Sequence, residues 1–420
     1  MTLHRPRVNF FQSIVGIIAL LLIIGHGLCS AVHAEDWIQW RGPNRNGISP
    51  ESKWLNQWSD GGPTILWKAT VGMGFSSFVV SNGKVFTMGN ADNSDTVFAL
   101  DAMTGIIKWK HTYPSDLGDK YFEGGTTGTP TIDGDNLYTL SRWGDVFCFQ
   151  ASTGKILWTR NVQVETGARV PSWGFTGAPL VIEKMLILNV GETGLALDKS
   201  TGKTLWQSST KEAGYTTPVP WVTGGKSQVV FGSGQGYIGV DSLSGKEVWR
   251  MKWVTQYGVN AADPVIDGDR LFISSGYGKG AALIKPLASV EPELVWKSKV
   301  LRTQMNAAVL FDKHLYGIDG DTTEKPLLKC VELATGAEKW SDSTSGTRGL
   351  LIANGRLILL GEKGELIIAP ASPSGFKPTS RAQVLGGKSW TAPILANGML
   401  FCRNSRGEVV NVDLRTAATP

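Results

Sequence analysis

The amino-acid sequence predicts an all-β protein that closes into an eight-bladed β-propeller. The first observation is a short phrase, Phe98–Trp109, in which Thr-Gly is followed four residues after the glycine by tryptophan. The phrase returns four times with little change and once in a degenerate form. The second observation is its period, because successive closing tryptophans are 42 to 49 residues apart. A period of about 40–50 residues built from short β-runs is typical of a propeller with one four-stranded blade per repeat.

Each period reads as four strands. An inner strand is followed by an Asn-Gly or Asp-Gly turn, which suits the positive φ angles of a two-residue hairpin. A second strand, a glycine-rich turn and a third strand follow, and the third strand runs into the phrase. The fourth strand ends on the tryptophan. Counting inner strands gives eight blades, with strands expected near Phe78, Thr131, Leu180, Val219, Val265, Val309, Leu351 and Ile394.

The two ends of the repeat region predict how the ring closes. The last period has only three strands, ending with Glu408–Leu414. The strand Ile65–Ala69 carries a closing tryptophan but has no blade in front of it. We therefore expect this N-terminal strand to complete the last blade.

The tryptophan of each phrase is expected to dock on the neighbouring blade, with the glycine supplying the strained turn. An eighth, substituted position falls at Thr379. The predicted docking residues are Trp67, Trp109, Trp158, Trp206, Trp249, Trp296 and Trp340.

The N-terminus predicts export from the cytoplasm. Arg5 and Arg7 precede an apolar run over residues 14–24, and Val32-His-Ala34 is a small-residue cleavage site. This is the layout of a secretory signal peptide, here residues 1–34. Cleavage near Ala34 predicts a periplasmic or secreted protein without a transmembrane span, and an uncleaved anchor is the alternative. We divide the remainder into a tryptophan-rich lead-in (35–62), the propeller (63–415) and a tail (416–420).

The composition of the chain argues against several classes of function. Charged residues are 18% of the chain, and removal of the leader leaves 39 basic and 36 acidic residues with no basic run, so nucleic acid is not an expected partner. Only His111 and His314 remain after cleavage, in different blades, which argues against a histidine zinc site or a serine triad. We assign no catalytic or metal-binding residues.

The remaining Cys148, Cys330 and Cys402 do not form a disulfide framework, so they are small buried residues or reactive thiols.

The loops leading into the inner strands are the candidate binding site, because in a propeller they converge on the central channel at one face. They carry charged, amide and aromatic side chains together. The alternative is a solvated rim with partly packed rings. The candidates are Glu123, Arg169, Trp173, Tyr215, Asn260, Asp263, Arg302, Asn306, Arg348, Lys388 and Trp390.

The phrase Ala-x-Asp-x-x-Thr-Gly-x-x-x-Trp resembles the tryptophan-docking motif of the pyrroloquinoline quinone (PQQ) enzyme-repeat family. The lead-in Trp40-Arg-Gly-Pro-x-Arg-x-Gly47 is similar to segments that precede such propellers in secreted proteins. The resemblance implies eight blades and two possible kinds of function. Quinoprotein dehydrogenases of the family bind PQQ and calcium over the propeller centre. The BamB-like branch has no cofactor and holds protein partners.

Departures from the dehydrogenase pattern favour the BamB-like branch. The spacing leaves little chain for the insertions that roof the cofactor, the adjacent cysteine pair is absent, and no Glu, Asn and Asp set is assignable to calcium. We therefore expect a monomeric scaffold for binding or assembly, with a protein partner in the cell envelope and no cofactor. The alternatives are a PQQ- and calcium-dependent oxidoreductase acting on an alcohol or sugar, and non-catalytic binding of a small molecule or glycan.

Overall fold

The computed structural model describes residues 1–2, 36–287 and 291–416. Residues 3–34 of the predicted signal peptide, with its cleavage site, and residues 417–420 of the predicted tail lie outside these ranges. The part of the chain after residue 34 is one compact unit. In the described ranges, no helix has the length and apolar character needed to cross a membrane.

The described strands form eight sheets, each of them one blade, so the predicted eight-bladed propeller is confirmed. Two short segments precede the first complete blade, β1 (Ile48–Ser49) and β2 (Thr64–Thr70). Blade 1 consists of β3 (Val79–Ser81), β4 (Lys84–Ala91), β5 (Ser94–Asp101) and β6 (Ile107–Pro114). Blade 2 consists of β7 (Thr131–Asp133), β8 (Asn136–Leu140), β9 (Asp145–Gln150) and β10 (Ile156–Asn161), followed by the short helix α1 (Val162–Thr166). Blade 3 consists of β11 (Leu180–Ile182), β12 (Met185–Leu188), β13 (Leu195–Asp198) and β14 (Thr204–Gln207).

The remaining blades repeat the antiparallel order from the inner to the outer strand. Blade 4 consists of β15 (Val219–Thr223), β16 (Lys226–Ser233), β17 (Gly236–Asp241) and β18 (Glu247–Lys252). Blade 5 consists of β19 (Val265–Asp267), β20 (Arg270–Ser275), β21 (Gly280–Lys285) and β22 (Glu293–Ser298). Blade 6 consists of β23 (Val309–Phe311), β24 (His314–Asp319), β25 (Leu327–Glu332) and β26 (Glu338–Asp342). Blade 7 consists of β27 (Thr347–Ala353), β28 (Arg356–Gly361), β29 (Glu365–Pro370) and β30 (Ser380–Gln383). Blade 8 contains β31 (Ile394–Ala396), β32 (Met399–Arg403) and β33 (Glu408–Asp413).

The N-terminal strand β2 completes blade 8, as the sequence predicts. It pairs antiparallel with β33, with Trp67 opposite Asn411 and Thr70 opposite Glu408. The first and last strands of the propeller therefore share one sheet. This pairing closes the ring without leaving an open edge between blades.

The two ends of each inner strand define the two faces of the ring. We call the face with the turns between the first and second strands the hairpin face. In blade 1 this turn is Asn82-Gly83, with φ angles of 49° and 70°, as a type I′ turn requires. The opposite face, where loops from the preceding blade enter the inner strands, is called the loop face.

The closing tryptophan of blade 8, Trp67, docks on blade 1. Its Nε1–H donates to the Ala102 carbonyl at 2.9 Å, and its ring lies against Gly105. A Cβ at Gly105 would lie 2.6 Å from Trp67 Cδ2, so only glycine fits beneath the ring. Five further tryptophans donate in the same way to a carbonyl of the next blade: Trp109 to Ala151 (2.9 Å), Trp158 to Lys199 (3.0 Å), Trp206 to Ser242 (3.1 Å), Trp296 to Leu333 (2.8 Å) and Trp340 to Ser372 (2.8 Å).

Trp249 at the end of blade 4 is arranged differently. Its Nε1–H donates at 2.9 Å to Gln228 Oε1 within its own blade. The following blade is the one whose copy of the phrase lacks Thr-Gly. Trp221 bridges this junction instead, since its Nε1–H donates to the Gly268 carbonyl of blade 5 at 2.9 Å.

Two buried cysteines lie opposite docking tryptophans. Each outer strand shifts register just before its tryptophan, which places Cys148 opposite Trp158 and Cys330 opposite Trp340. Ala99 occupies the same position opposite Trp109. Directly opposed residues of an antiparallel pair share a face of the sheet, so a small side chain leaves room for the indole. Burial raises the pKa of both thiols to about 11, as expected of inert structural cysteines.

Candidate functional site

The lead-in crosses the hairpin face and joins blades that are distant in sequence. Trp37 and Val80 exchange backbone hydrogen bonds of 3.0 and 2.9 Å in blade 1, and the Ile38 carbonyl accepts from Ile132 of blade 2 at 2.8 Å. Further along, β1 pairs in parallel with β27 on the inner side of blade 7. The lead-in is therefore ordered by backbone pairing as well as by its rings.

Arg41 and Trp40 lie where the lead-in meets the centre of the ring. The guanidinium of the half-buried Arg41 donates to the carbonyls of Ala307 at 3.1 Å and Ala308 at 2.9 Å, and burial lowers its pKa. Trp40 Nε1–H donates to Asp263 Oδ2 at 2.7 Å. The other carboxylate oxygen of Asp263 accepts from the Thr217 backbone N–H at 2.8 Å. These contacts fix Trp40 as the floor of the space above it.

Above this floor lies a cavity of about 910 Å³ on the loop face. Its volume falls in the upper part of the range of small-molecule sites, about 300–1,000 Å³. Loops from seven of the eight blade junctions contribute to the wall, together with Trp40 from the lead-in. The arrangement is a blind funnel, open at the loop face.

Aromatic rings form much of the wall, and we call them the aromatic arc. Trp173 is its centre, with its ring centroid 5.7 Å from those of both Tyr121 and Tyr215. In another part of the wall, the ring centroid of Phe75 lies 5.8 Å from that of Phe122 and 6.2 Å from that of Trp390. The arc comprises Phe75, Tyr121, Phe122, Trp173, Tyr215, Tyr277 and Trp390.

The charged groups of the wall are mostly acidic. Three carboxyl groups line the cavity, those of Asp119, Glu123 and Asp263, against the single cation Lys388. Lys388 forms an ion pair with Glu123, and its Nζ lies 4.1 Å from the Trp390 ring centroid. Burial raises the pKa of Asp263, and the nearby charge of Arg41 offsets this only in part. Burial alone would raise the pKa of Glu123, but the hydrogen bond from Lys388, a backbone hydrogen bond and the charge of Lys388 together leave this pKa below the ordinary value.

Gln304 places an unsatisfied amide oxygen at this wall. Its Nε2–H donates to the Tyr277 hydroxyl at 2.9 Å, and the side chain is only 9% exposed. Its Oε1 has no hydrogen-bond partner among the described atoms. Leaving a buried acceptor unpaired costs about 1–3 kcal/mol, so such a group at a cavity wall is a candidate ligand contact.

Seven of the eleven predicted site residues line this cavity. The other four lie outside its wall, where each has a protein partner. The seven are Glu123, Trp173, Tyr215, Asp263, Asn306, Lys388 and Trp390.

Two of these four are fixed by neighbours on the surface or in the core. Arg169 is exposed and pairs with Glu212 at 3.2 Å. Asn260 is fully buried and donates to the carbonyls of Ser233 at 2.8 Å and Trp253 at 3.0 Å. Asn260 therefore holds the loop that leads into blade 5.

The other two are arginines that contact blade 6: Arg302 from the loop that precedes it and Arg348 from β27 of blade 7. Arg302 donates to both carboxylate oxygens of the buried Asp319, at 3.0 and 2.9 Å. Arg348 is buried and donates to the carbonyls of Asp321 at 3.2 Å and Glu324 at 3.3 Å. Both guanidinium groups are thus engaged in holding the loop between β24 and β25.

The sequence analysis did not identify Arg142, which positions much of the aromatic arc. This fully buried side chain donates to the carbonyls of Leu117 at 2.8 Å and Trp173 at 3.3 Å. Its guanidinium carbon lies 5.0 Å from the Phe122 ring centroid. No sequence signal marks this role, because an arginine in a turn such as Ser141-Arg-Trp-Gly144 is usually exposed.

The cavity residues do not fit the quinone cofactor of the dehydrogenase branch. PQQ carries three carboxylate groups, whereas the one lysine of the wall is already paired with Glu123. The three carboxyl groups of the wall would repel such an anion. The described residues also contain no group of three or more histidine, cysteine or acidic side chains that could hold a metal ion.

Comparison with known proteins agrees with this architecture. No curated protein matches the sequence. Among solved structures, BamB from Moraxella catarrhalis is similar with a TM-score of 0.64 and 17% identity, covering 84% of this chain and all of that one. Quinohemoprotein alcohol dehydrogenase from Comamonas testosteroni is similar with a TM-score of 0.66 and 13% identity, covering 93% of this chain and 82% of that one. At these identities both likenesses show the fold alone.

The family assignment comes from the sequence of blades 2 to 6. The family model described as outer membrane protein assembly factor BamB matches residues 115–342, which is more than half of the chain. The resemblance inferred from the tryptophan phrase is thereby confirmed. This chain belongs to the BamB family of PQQ-like β-propellers.

Proposed function

We propose that this chain is a non-catalytic binding protein of the cell envelope that holds a protein partner at the mouth of its loop-face cavity. The family match and the predicted signal peptide support an envelope location. Fold alone does not define the function of a propeller. The proposal therefore rests on the side chains at one place, the mouth of the cavity on the loop face.

The observation that carries the proposal is the set of large side chains exposed around the mouth. Tyr121 is 55% exposed, Tyr257 is 57% exposed and Met305 is 36% exposed. Tyr121 and Met305 line the cavity, and Tyr257 packs on the cavity residue Tyr277 at 5.1 Å. Tyrosine and methionine are enriched in protein interfaces, where they supply large contact areas. Large exposed side chains around the mouth of the cavity are more typical of a protein-docking surface than of a solvated rim.

Co-purification from envelope extract tests this proposal. The Tyr121→Ala/Tyr257→Ala double variant should lose at least about tenfold of the partner recovered with the natural chain, since interface tyrosines contribute 1–2 kcal/mol or more each. The matched control is Leu205→Ala/Leu243→Ala, which removes two exposed apolar side chains from the outer edge of blades 3 and 4. Equal recovery with both double variants would refute the assignment to the loop face.

The second candidate, a PQQ- and calcium-dependent oxidoreductase, is disfavoured by the acidic wall described above. Adding PQQ and calcium to the purified chain should give no stoichiometric quinone absorbance and no dye-linked alcohol oxidation. A stoichiometric quinone complex with turnover would overturn the non-catalytic proposal.

A further inference from the structure

We infer that the cavity itself binds an uncharged oligosaccharide. The inference rests on the proposed function, because it names the ligand class of the same face. Its separate support is the chemistry of the wall below the mouth: flat rings, satisfied charges and one unpaired amide oxygen.

The aromatic arc fits the faces of sugar rings. Pyranose rings present C–H groups on their faces and hydroxyls at their edges, so they stack on aromatic side chains while their hydroxyls form hydrogen bonds beside the ring. Trp173 and Tyr215 meet edge to face, with an interplanar angle of 75°. The two rings therefore present surfaces in different directions, and a ligand with more than one sugar unit has more than one ring to contact. Tyrosine and tryptophan suit this role because each combines an apolar body with a polar group.

The charges of the wall favour an uncharged ligand. An anion would meet three carboxyl groups and a lysine that is already paired. A cation would find most of that negative charge satisfied, since Glu123 is paired with Lys388 and Asp263 accepts hydrogen bonds from Trp40 and Thr217. Burying a ligand charge without a free partner is costly, so a polar but neutral molecule is the best match.

Gln304 supplies the specific contact. The amide Oε1 of Gln304 is buried and unpaired among the described atoms. The Tyr277 hydroxyl accepts from Gln304 and is also hydrogen-bonded to the Thr322 side chain. The unused group is therefore the Gln304 Oε1, which lies beside these hydroxyl groups. A sugar hydroxyl can donate to it.

Titration calorimetry of the full chain tests the inference. The probes are maltotetraose, cellotetraose, mannotetraose and chitotetraose, with tetragalacturonate as the anionic comparison. We expect saturable binding of at least one neutral tetrasaccharide at millimolar or lower concentration, and none of tetragalacturonate. No heat from any neutral probe up to about 10 mM, or equal binding of the anion, would overturn the inference.

Two variants locate the binding in the cavity. Trp173→Ala and Gln304→Ala should each weaken binding about tenfold, whereas Trp58→Ala, outside the cavity on blade 7, should leave it unchanged. Unchanged affinity in both cavity variants would contradict the inference, provided that their thermal melts show a folded chain. The two proposals can fail separately. If no tetrasaccharide binds but the Tyr121→Ala/Tyr257→Ala variant still loses its protein partner, the saccharide site is refuted and the proposed function stands.

Discussion

The indole N–H of Trp40 and the carboxylate of Asp263 are joined by a 2.7 Å hydrogen bond across 223 residues of sequence. This contact links the lead-in to the loop between blades 4 and 5. It turns the central space of the propeller into a funnel with a floor. The conspicuous motif Trp40-Arg-Gly-Pro-x-Arg-x-Gly47 therefore has a structural role that its position ahead of the repeats does not suggest.

Removing the Trp40 ring, which forms the floor of the cavity, should destabilise the folded chain. Trp40→Ala deletes a half-buried ring and leaves the buried Asp263 with one fewer donor, so we expect a loss of about 2–4 kcal/mol in the free energy of unfolding. Chemical denaturation measures it. Trp58→Ala is the control, because this lead-in ring is also partly buried against the core but its N–H donates only to the Arg381 carbonyl, in an exposed hydrogen bond. Equal losses in the two variants would show that Trp40 does not brace the ring.

Because Trp67 docks on Gly105, adding one methyl group at position 105 should lower the stability of the chain more than adding one at a glycine without such a contact. Gly105→Ala adds a Cβ that would lie 2.6 Å from the Trp67 ring at a φ of 71°. Gly83→Ala is matched in conformation, with a φ of 70° and no atom within 4 Å of the added Cβ. We expect Gly83→Ala to cost about 1–2 kcal/mol from backbone strain alone and Gly105→Ala to cost distinctly more. Equal melting temperatures for the two variants would refute the docking role of Trp67.

The tryptophan joints should also respond to ring removal. Trp206 is buried and bridges blade 3 to Ser242 of blade 4. Trp206→Ala should cost about 3–5 kcal/mol, and Trp158→Ala should behave similarly. Trp206→Phe keeps most of the apolar contact and loses the hydrogen bond, so it should cost only about 1–2 kcal/mol. A thermal melt that shows no loss for either alanine variant would contradict the docking account.

Acid should weaken the attachment of the loop between blades 5 and 6 to blade 6, through Asp319. Burial alone would raise the pKa of this carboxyl, but hydrogen bonds from the Arg302 side chain and backbone, together with the charge of Lys329 at 3.3 Å, hold it below its ordinary value. A carboxyl whose folded pKa is depressed contributes stability above its unfolded pKa, near 4, and loses that contribution as the pH falls through the lower folded pKa.

Asp319→Asn should therefore be less stable than the natural chain at neutral pH, by about 3–5 kcal/mol. Below about pH 4 its unfolding free energy should fall less steeply. Denaturation curves between pH 3 and 7 measure both effects. Parallel pH dependence in the two proteins would show that Asp319 is not the responsible group.

Arg142 should control the order of the aromatic arc. Arg142→Lys keeps the positive charge but cannot donate to the Leu117 and Trp173 carbonyls at the same time. We expect faster amide hydrogen exchange in residues 117–125 and around Trp173, with unchanged exchange in the outer strands of blades 5 and 6. Uniformly faster exchange throughout the chain would indicate global destabilisation instead.

The fold was predictable because its signal is repeated. One docking tryptophan is a weak indication, but a fixed spacing from the Thr-Gly turn, repeated through the chain, specifies blade number and ring closure. Trp249 is the exception that the phrase could not reveal, since its N–H donates to Gln228 within its own blade.

The site was only partly predictable, because its residues come from loops that do not repeat. Their approximate position follows from the topology, and this places Trp173 and Lys388 at the cavity. The direction of each side chain depends on local partners, so Arg302 and Asn260 turn into structural networks instead. The roles of Trp40 and Arg142 rest on contacts with residues distant in sequence, for which one chain offers no pattern.

The central claim is that the loop-face mouth is where this propeller holds its partner, and site-specific photo-crosslinking in the envelope tests it most directly. A photoreactive phenylalanine analogue is placed at Tyr121 or Tyr257 on the mouth, or at Leu243 on the outer edge, where the native side chain is 70% exposed. We predict that both mouth positions cross-link to the same protein and that position 243 does not. Cross-linking of that protein from position 243 alone, or equally from all three positions, would contradict the claim.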